Sequence, residues 1–479
     1  MNFNRSTLVS ILGVFGSAFW WLLSFKIVAY GMGPEGVGLF SQLRQMVQAV
    51  TIGATFGGTN PVVQSLSERQ DSASREEFRF TASRIIGLNG AVIAIFIFMM
   101  APQIASYFLA SNDDQYIGAV RWLALAVLLN VGGTYFLAVL NGYRSYIFLA
   151  LAQIAGPMAM MLFLLGGWRW GLFPSNQLLA VSFVICFLVT SIVAVFGVRR
   201  LPKIESNQRS VGLLGAERNA FMRFGISTLV AALSSSVVLL LIRSWMINDR
   251  GLAFAGLFDA GWTLTFNYTT LFLSACSIIY LPMLTAATNP QDKKACVLRT
   301  AYLVLGISIV VCFTLSLWNT AIIELLYSSQ FYTAGQAVIV LSIAVMLRGI
   351  SWVYGTMILA ERKSRVLLVS DVTLNLLLLL TARFALDNSI SLEALAWAFV
   401  FPHFIYLVFV VEYACKTNPL MQRRNIWPHL TLSVIPLLYL ATSISDSSPN
   451  NFGMVRAVCF VMGIISCYLA ITAYKKVGL

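Results

Sequence analysis

LSFKIVAYGMGPEGVGLFSQLRQM, running from Leu23 to Met46, decides what kind of molecule this is. An apolar run that carries Lys26 meets a Gly/Pro turn, and a second apolar run carrying Arg44 follows at once. A turn this short returns the chain antiparallel, so the stretch reads as a membrane hairpin with two cations inside it. Working outward, apolar runs of about 18–25 residues recur along the whole chain, each enough to cross the hydrocarbon core. The expected spans are 7–31, 37–63, 81–108, 117–141, 148–167, 178–198, 225–247, 257–286, 300–326, 335–360, 366–386, 392–415, 427–445 and 453–473, with Pro428 and Pro436 interrupting the thirteenth. The first reads as a span and not as a cleaved signal peptide, because it is long and holds a lysine.

Composition agrees. Of 479 residues 58% are hydrophobic and only 11% charged, far below the charged share of a soluble domain. The expected fold class is therefore an all-α integral membrane protein of about 14 transmembrane helices: two pseudo-symmetric six-helix bundles plus two C-terminal helices. The domains expected are an N-terminal bundle over 1–198, a cytoplasmic linker over 199–224, a C-terminal bundle over 225–415 and additional helices over 416–479. The linker mixes basic residues with apolar pairs and fits either an interfacial amphipathic stretch or a polar connection.

Cations set the orientation. With Met1 cytoplasmic, the far-side loops hold only Arg169 and Arg250, while RRLPK (199–203), DKK (292–294), ERKSR (361–365) and QRR (422–424) fall on the near side. The positive-inside rule then places both termini in the cytoplasm. A net charge of +13 needs no nucleic acid, since loop anchoring to anionic lipid accounts for it. Seven cysteines lie inside helices or on the cytoplasmic side and imply no disulfide framework. His403 and His429 have no ligand-spaced neighbours, so no metal is expected. No phosphate loop of the GxxxxGK[ST] type occurs, and no cofactor or catalytic constellation is expected.

The halves share an order of features at their first hairpins. Lys26 is followed 14 residues later by Phe40 of Gly38-Leu39-Phe40, and Arg243 is followed 15 residues later by Phe258 of Gly256-Leu257-Phe258. Pro61 and Pro282 close the second helix of each hairpin. This suggests a duplicated bundle, an architecture in which transporters place substrate between the repeats.

Polar residues line single helix faces. Ser41, Arg44, Gln48, Thr51 and Thr55 step by 3, 4, 3 and 4, and Asp259, Thr263, Asn267, Thr270, Ser274 and Ser277 by 4, 4, 3, 4 and 3. Asn130, Thr134 and Asn141 form a sparser line. Such faces look inward at protein or water, and for the Ser and Thr positions helix–helix hydrogen bonding serves as well as substrate contact. Charges are costlier. Lys26, Arg44, Arg243 and Arg348 fall within spans, where a cation costs on the order of 3 kcal/mol. Lys26 and Arg243 can partly snorkel to the outer interface, whereas Arg348 is too far from either end. Against them stands one clear intramembrane acid, Asp259, for ion pairing or coupling; Glu324, Asp371 and Glu412 lie near expected helix ends. An inward basic surplus wants an anion.

The hairpin GMGPEGVGLFSQLRQ, with Lys26 upstream and Arg44-Gln45 downstream, resembles that of the Wzx-type polysaccharide flippases. The similarity is to the lipid III-like group of the multidrug/oligosaccharidyl-lipid/polysaccharide (MOP) exporter superfamily. Similar positions there are basic where Arg243 and Arg348 stand, and the resemblance covers roughly residues 1–415. It implies a non-enzymatic flippase of the bacterial inner membrane, moving an undecaprenyl-diphosphate-linked oligosaccharide outward by alternating access. The implied substrate site is Lys26, Arg44, Arg243 and Arg348 for the diphosphate, with Gln48 and Asn60 for sugars. Implied partners are membrane lipids, a polysaccharide polymerase and a chain-length regulator. The chain runs on past the resemblance by two helices, which leaves open a lipid II flippase. A multidrug antiporter shares the fold, but surplus Arg and Lys would repel its usual cationic cargo.

Overall fold

Without water in the bilayer core, each backbone N–H and C=O must be satisfied within its own segment, and this sequence answers with helix nearly throughout. A computed structural model describes residues 3–57, 59–68, 72–201, 215–287, 289–361, 363–389, 391–418, 420–421, 427–445 and 452–477. Residues 202–214 of the expected linker, the QRR loop and the turn at Pro449 lie outside the described residues, as do the side chains of Asn60 and His429. The described residues contain no strand.

The helices are α1 (Phe3–Ala54), α2 (Asn60–Glu68), α3 (Ser72–Met99), α4 (Ala101–Leu109), α5 (Asp114–Gly142), α6 (Tyr146–Arg169), α7 (Asn176–Arg199) and α8 (Gly215–Trp262). A π turn (Thr263–Asn267) leads into α9 (Tyr268–Ala286). There follow α10 (Pro290–Leu317), α11 (Asn319–Leu326), α12 (Ala334–Ala360), α13 (Ser364–Asn388), α14 (Leu392–Thr417), α15 (Trp427–Ser445) and α16 (Phe452–Val477).

Straight, the 52 residues of α1 would reach about 78 Å, more than twice the hydrocarbon thickness. Gly33 breaks the helix with φ 63° and ψ −157°, a conformation open to glycine, and Pro34 starts the second leg. The legs fold back on each other. Phe40 meets Phe25 edge-on at 5.0 Å and Trp21 at 6.2 Å, pairs that straddle the break. Gly251, at φ 86° and ψ 170°, breaks α8 in the same way. Among the described residues eleven helices are long and apolar enough to cross a bilayer, and the two longest, of 46 and 55 residues, are those that contain the breaks. Each of these supplies two passages, and with α15 the architecture is the fourteen-span, two-bundle one expected.

Some boundaries differ from the expectation. The span expected over 37–63 stops at Ala54, because Phe56 and Gly57 take positive φ before α2 begins. The span expected over 81–108 starts earlier, at Ser72, and is interrupted at Met100, where Pro102 near the start of α4 supplies no N–H to the turn before it. Caps hold other starts: Asp113, Ser175, Asn289 and Ser391 each accept a bond from a first-turn backbone N–H.

The chain divides into two compact units, Met1–Gly256 and Leu257–Leu479, so the first leg of α8 belongs with the N-terminal helices. The first unit is organised around α5, which packs on α3, α4, α6 and α7, while α1 packs on α6. In the second, α12 is the hub, touched by α9, α10, α11, α13, α14 and α15. The extra helix α16 packs on α10 and α15.

Within the first unit the two matching glycines of the sequence repeat find each other. A Cβ on Gly256 would overlap the Pro34 carbonyl oxygen and come within 2.8 Å of Gly38 N. A Cβ on Gly38 would overlap the Leu252 carbonyl oxygen and come within 3.1 Å of Gly256 N. Each glycine thus lies against the carbonyl four residues before the other, a reciprocal backbone-on-backbone seam. Gly38→Ala and Gly256→Ala should each destabilise by about 1–3 kcal/mol, since backbone cannot repack around a methyl as a side chain can. Gly53→Ala, where a Cβ meets nothing within 4 Å, should be neutral or stabilising. Thermal unfolding of the purified protein in detergent compares the three; equal shifts would contradict the seam.

Candidate functional site

The α1 hairpin brings Arg44 back alongside the residues that precede Lys26. The Arg44 guanidinium lies over the Phe25 ring at 4.8 Å and the Trp21 ring at 5.8 Å, residues one turn apart on the facing leg. Lys26, next to Phe25, places its ammonium 5.8 Å from the Tyr30 ring. Cation–π contact of this kind offsets desolvation without consuming the hydrogen-bonding capacity of the charge. Arg44 and Lys26 are half-buried and Gln48 is exposed one turn on. Gln45, beside Arg44, is tied down: its Nε2 donates to the Ser236 carbonyl at 3.0 Å and to Ser236 Oγ at 3.1 Å. Ser236 is on the first leg of α8, two turns before Arg243. Arg243 itself is only 2% exposed, so it does not reach the outer interface as snorkelling would have it. Its neighbour Ser244 donates to the Tyr107 carbonyl at 2.8 Å and fixes the helix there.

Asp259 and Arg348 belong to the second unit. Asp259 is fully buried; Thr263 Oγ1 donates to its Oδ2 at 3.5 Å, and Asn267 Nδ2 donates to Thr263 Oγ1 at 3.2 Å. The upper part of the expected polar stripe is therefore a relay of side chains running down into the π turn. Thr270 and Ser274 instead bond the carbonyls one turn back, at Phe266 and Thr270. In the first unit the stripe divides similarly. Ser41 bonds the Gly38 carbonyl and Thr55 the Thr51 carbonyl, while Asn130 Nδ2 donates across to Thr51 Oγ1 at 2.9 Å. These Ser and Thr side chains join or satisfy helices and do not present themselves to a ligand.

Arg348 stands out on α12. From Ala337 to Ile358 every residue is buried except Arg348 and Trp352, one turn apart on the same face. The Arg348 guanidinium lies over the Phe266 ring at 5.4 Å. Phe266 is delivered by the π turn, whose extra residue per turn re-aims the side chains that follow. It also faces the His403 ring at 5.4 Å, and His403 Nδ1 bonds the Phe399 carbonyl at 2.7 Å. Sequence reasoning missed this surround, and it missed the Trp21/Phe25 cradle, because aromatic residues one turn apart look like ordinary core. It also placed Asp371 near a helix end. That reading is corrected here: α13 starts at Ser364, so Asp371 lies two turns inside, where Tyr406 OH donates to its Oδ1 at 2.7 Å. No group of three metal-ligating side chains occurs among the described residues, and all seven cysteines are free.

If Thr51 is a joint between helices, Thr51→Val should lower stability by about 0.6 kcal/mol, the usual worth of an intramembrane hydrogen bond, and leave transport intact. A small loss of melting temperature with full complementation of a null strain is the expected result. Loss of transport at unchanged stability would return Thr51 to the substrate path.

Comparison with known proteins follows the same lines. No family model matches the chain. It is 23% identical over 390 residues to the lipid III flippase of Escherichia coli (strain K12), covering 80% of this chain and 91% of that protein. The lipid III flippase of Shigella flexneri matches to the same extent, 23% over 390 residues. Among solved structures, the inward-facing conformation of a multidrug resistance MATE family transporter of the MOP superfamily superposes with a TM-score of 0.70 at 14% identity, covering 86% of this chain and 98% of that one. A MOP superfamily transporter from Pyrococcus furiosus, described as having reverse polarity of its binding pocket, gives 0.64 at 16% identity over 87% of this chain and 95% of that one. The chain has the fold of the MOP superfamily transporters and, over four-fifths of its length, resembles the lipid III flippases in sequence.

Proposed function

We propose that this multi-pass membrane protein is a flippase for undecaprenyl-diphosphate-linked oligosaccharide. It moves an O-antigen, common-antigen or exopolysaccharide repeat unit from the cytoplasmic to the periplasmic leaflet of the bacterial inner membrane. Both termini are cytoplasmic in this reading, transport proceeds by alternating access, and the substrate contacts are Lys26, Arg44 and Arg243 in the first unit and Arg348 in the second. One observation carries the proposal: Arg44 and Arg348 are half-buried in membrane-spanning helices and rest on aromatic faces, with guanidinium edges suited to phosphate. A diphosphate diester brings about two negative charges, which such cations match, and Gln48 and Asn60 offer hydrogen bonds to neutral sugars. The sequence similarity to lipid III flippases supports the same cargo class. A polymerase and a chain-length regulator would receive the product. Two helices beyond the lipid III-like stretch keep lipid II as the alternative cargo, and the MATE-like fold keeps a multidrug antiporter in view. Against the antiporter stands the sign of the charge.

Arg44→Ala and Arg348→Ala should abolish glycan export while protein abundance in the membrane stays near normal. Lysine at either position should be poorly tolerated if a bidentate guanidinium grips phosphate. Export of cationic dyes by the wild type, with no dependence on these arginines, would favour the antiporter.

The charge also suggests what drives the step. Two negative charges leaving an inside-negative cell gain roughly 4–5 kcal/mol per 100 mV if no counter-ion accompanies them. In proteoliposomes, a potassium diffusion potential alone should accelerate flipping toward the positive side. A rate indifferent to potential, but responsive to a proton or sodium gradient in a manner that Asp259→Asn removes, would make Asp259 the coupling site.

A further inference from the structure

Arg348, Asp371 and Tyr406 converge from three helices of one unit, α12, α13 and α14. Asp371 and Tyr406 both interact electrostatically with Arg348. Yet the hydrogen bond in the cluster runs from Tyr406 OH to Asp371 Oδ1, at 2.7 Å, and not from the guanidinium. Among the described residues the Arg348 guanidinium makes no hydrogen bond or ion pair; it lies over the Phe266 ring. Gly355, on the same helix as Arg348, lets the hydroxyl in: a Cβ there would lie 3.5 Å from Tyr406 OH. All three side chains are half-buried, while His403 and the α12 residues beside Arg348, apart from Trp352, are buried. A carboxylate that interacts with the arginine is thus present, and its hydrogen bond is to a tyrosine and not to the guanidinium.

We propose that Asp371 and Tyr406 are positioning residues that set how tightly Arg348 grips the diphosphate of the cargo. The inference rests on the flippase reading above. With the site empty, Asp371 offsets the cost of a cation in the membrane from a short way off, leaving the guanidinium edge unspent. When a diphosphate arrives, Arg348 turns its donors to it, and the nearby carboxylate, now a like charge, weakens the hold and favours release. Tyr406 supplies the restraint. By engaging Oδ1 it keeps Asp371 from closing onto Arg348 as a direct ion pair, which would take the arginine out of use.

Two substitutions should therefore act in opposite directions. Asp371→Asn removes the competing charge, and the Kd for farnesyl diphosphate, a short polyprenyl diphosphate probe, should fall about tenfold, the scale of one unit charge at several ångström in partly screened surroundings. Flipping of the polyprenyl-diphosphate oligosaccharide should then show a lower KM and a lower kcat. Tyr406→Phe frees the carboxylate to pair with Arg348, and Kd and KM should rise. Asp371→Glu should restore wild-type values. In an Arg348→Gln background neither substitution should shift Kd. All binding is measured on purified full-length protein whose elution and melting temperature match the wild type. Should Asp371→Asn fail that control, Tyr406→Phe decides alone, and unchanged or tighter binding overturns the proposal. Shifts of both variants in one direction, or shifts that persist without Arg348, overturn it too. A wild type that neither binds nor flips these probes would overturn the flippase reading itself, a result distinct from an active wild type with insensitive variants.

Discussion

Arg348 sits on a helix packed by six others, and a guanidinium there must be compensated without water. The molecule meets that requirement with an aromatic face from Phe266 and the electrostatic interaction of Asp371, and Arg348 stays half-buried, as does Trp352 one turn on. Much else follows. The π turn exists at the place where Phe266 has to be aimed at the arginine, and α13 and α14 meet through the Tyr406–Asp371 bond beside it. Arg44 is handled by the same means in the other unit, with Trp21 and Phe25 in place of Phe266. Quadrupole contacts suit this task because they soften the desolvation cost and leave the N–H donors to a ligand.

The spans and the hairpin breaks were legible because they follow from one-dimensional quantities: run length, charge and the presence of glycine where φ must be positive. Gly33 and Gly251 illustrate this, each falling in the turn that the repeat of cation, turn and Gly-Leu-Phe had marked. The position of Asp371 was not legible. Its span looked shorter in sequence than α13 proved to be, since Ser364 and Arg365 read as loop but form the first turn. Nor was the burial of Arg243, because snorkelling depends on what covers a helix end and not on distance along it. The unit boundary at Gly256 is likewise a property of packing: the polar stretch 199–224 marks where sequence changes character, not where contacts divide.

The polar stripes show a limit of helical periodicity as a guide to function. Spacing placed Ser41, Thr51 and Thr55 on one face correctly, yet that face is mostly consumed internally. A hydroxyl that bonds the carbonyl one turn back is satisfied before any ligand arrives, and one that accepts from Asn130 is committed to a neighbouring helix. Side chains whose charge or reach exceeds such local bonding, such as Gln48 and Arg348, are the ones that distinguish a transporter from a merely packed bundle. Charge and reach separate the two groups better than polarity does.

The glycine seam constrains the duplication itself. Because Gly38 abuts the carbonyl before Gly256, and Gly256 the carbonyl before Gly38, a side chain on either closes the clearance needed by both. Neither half can change this position by itself while the contact stands. Elsewhere the two halves differ: a cradle of Trp21 and Phe25 in one, a π turn with Phe266 and a relay from Asp259 in the other. Gly38 and Gly256 match because they meet in a contact between backbones, where only one residue type fits, while the surrounding cations need only an aromatic face and can find it in many ways.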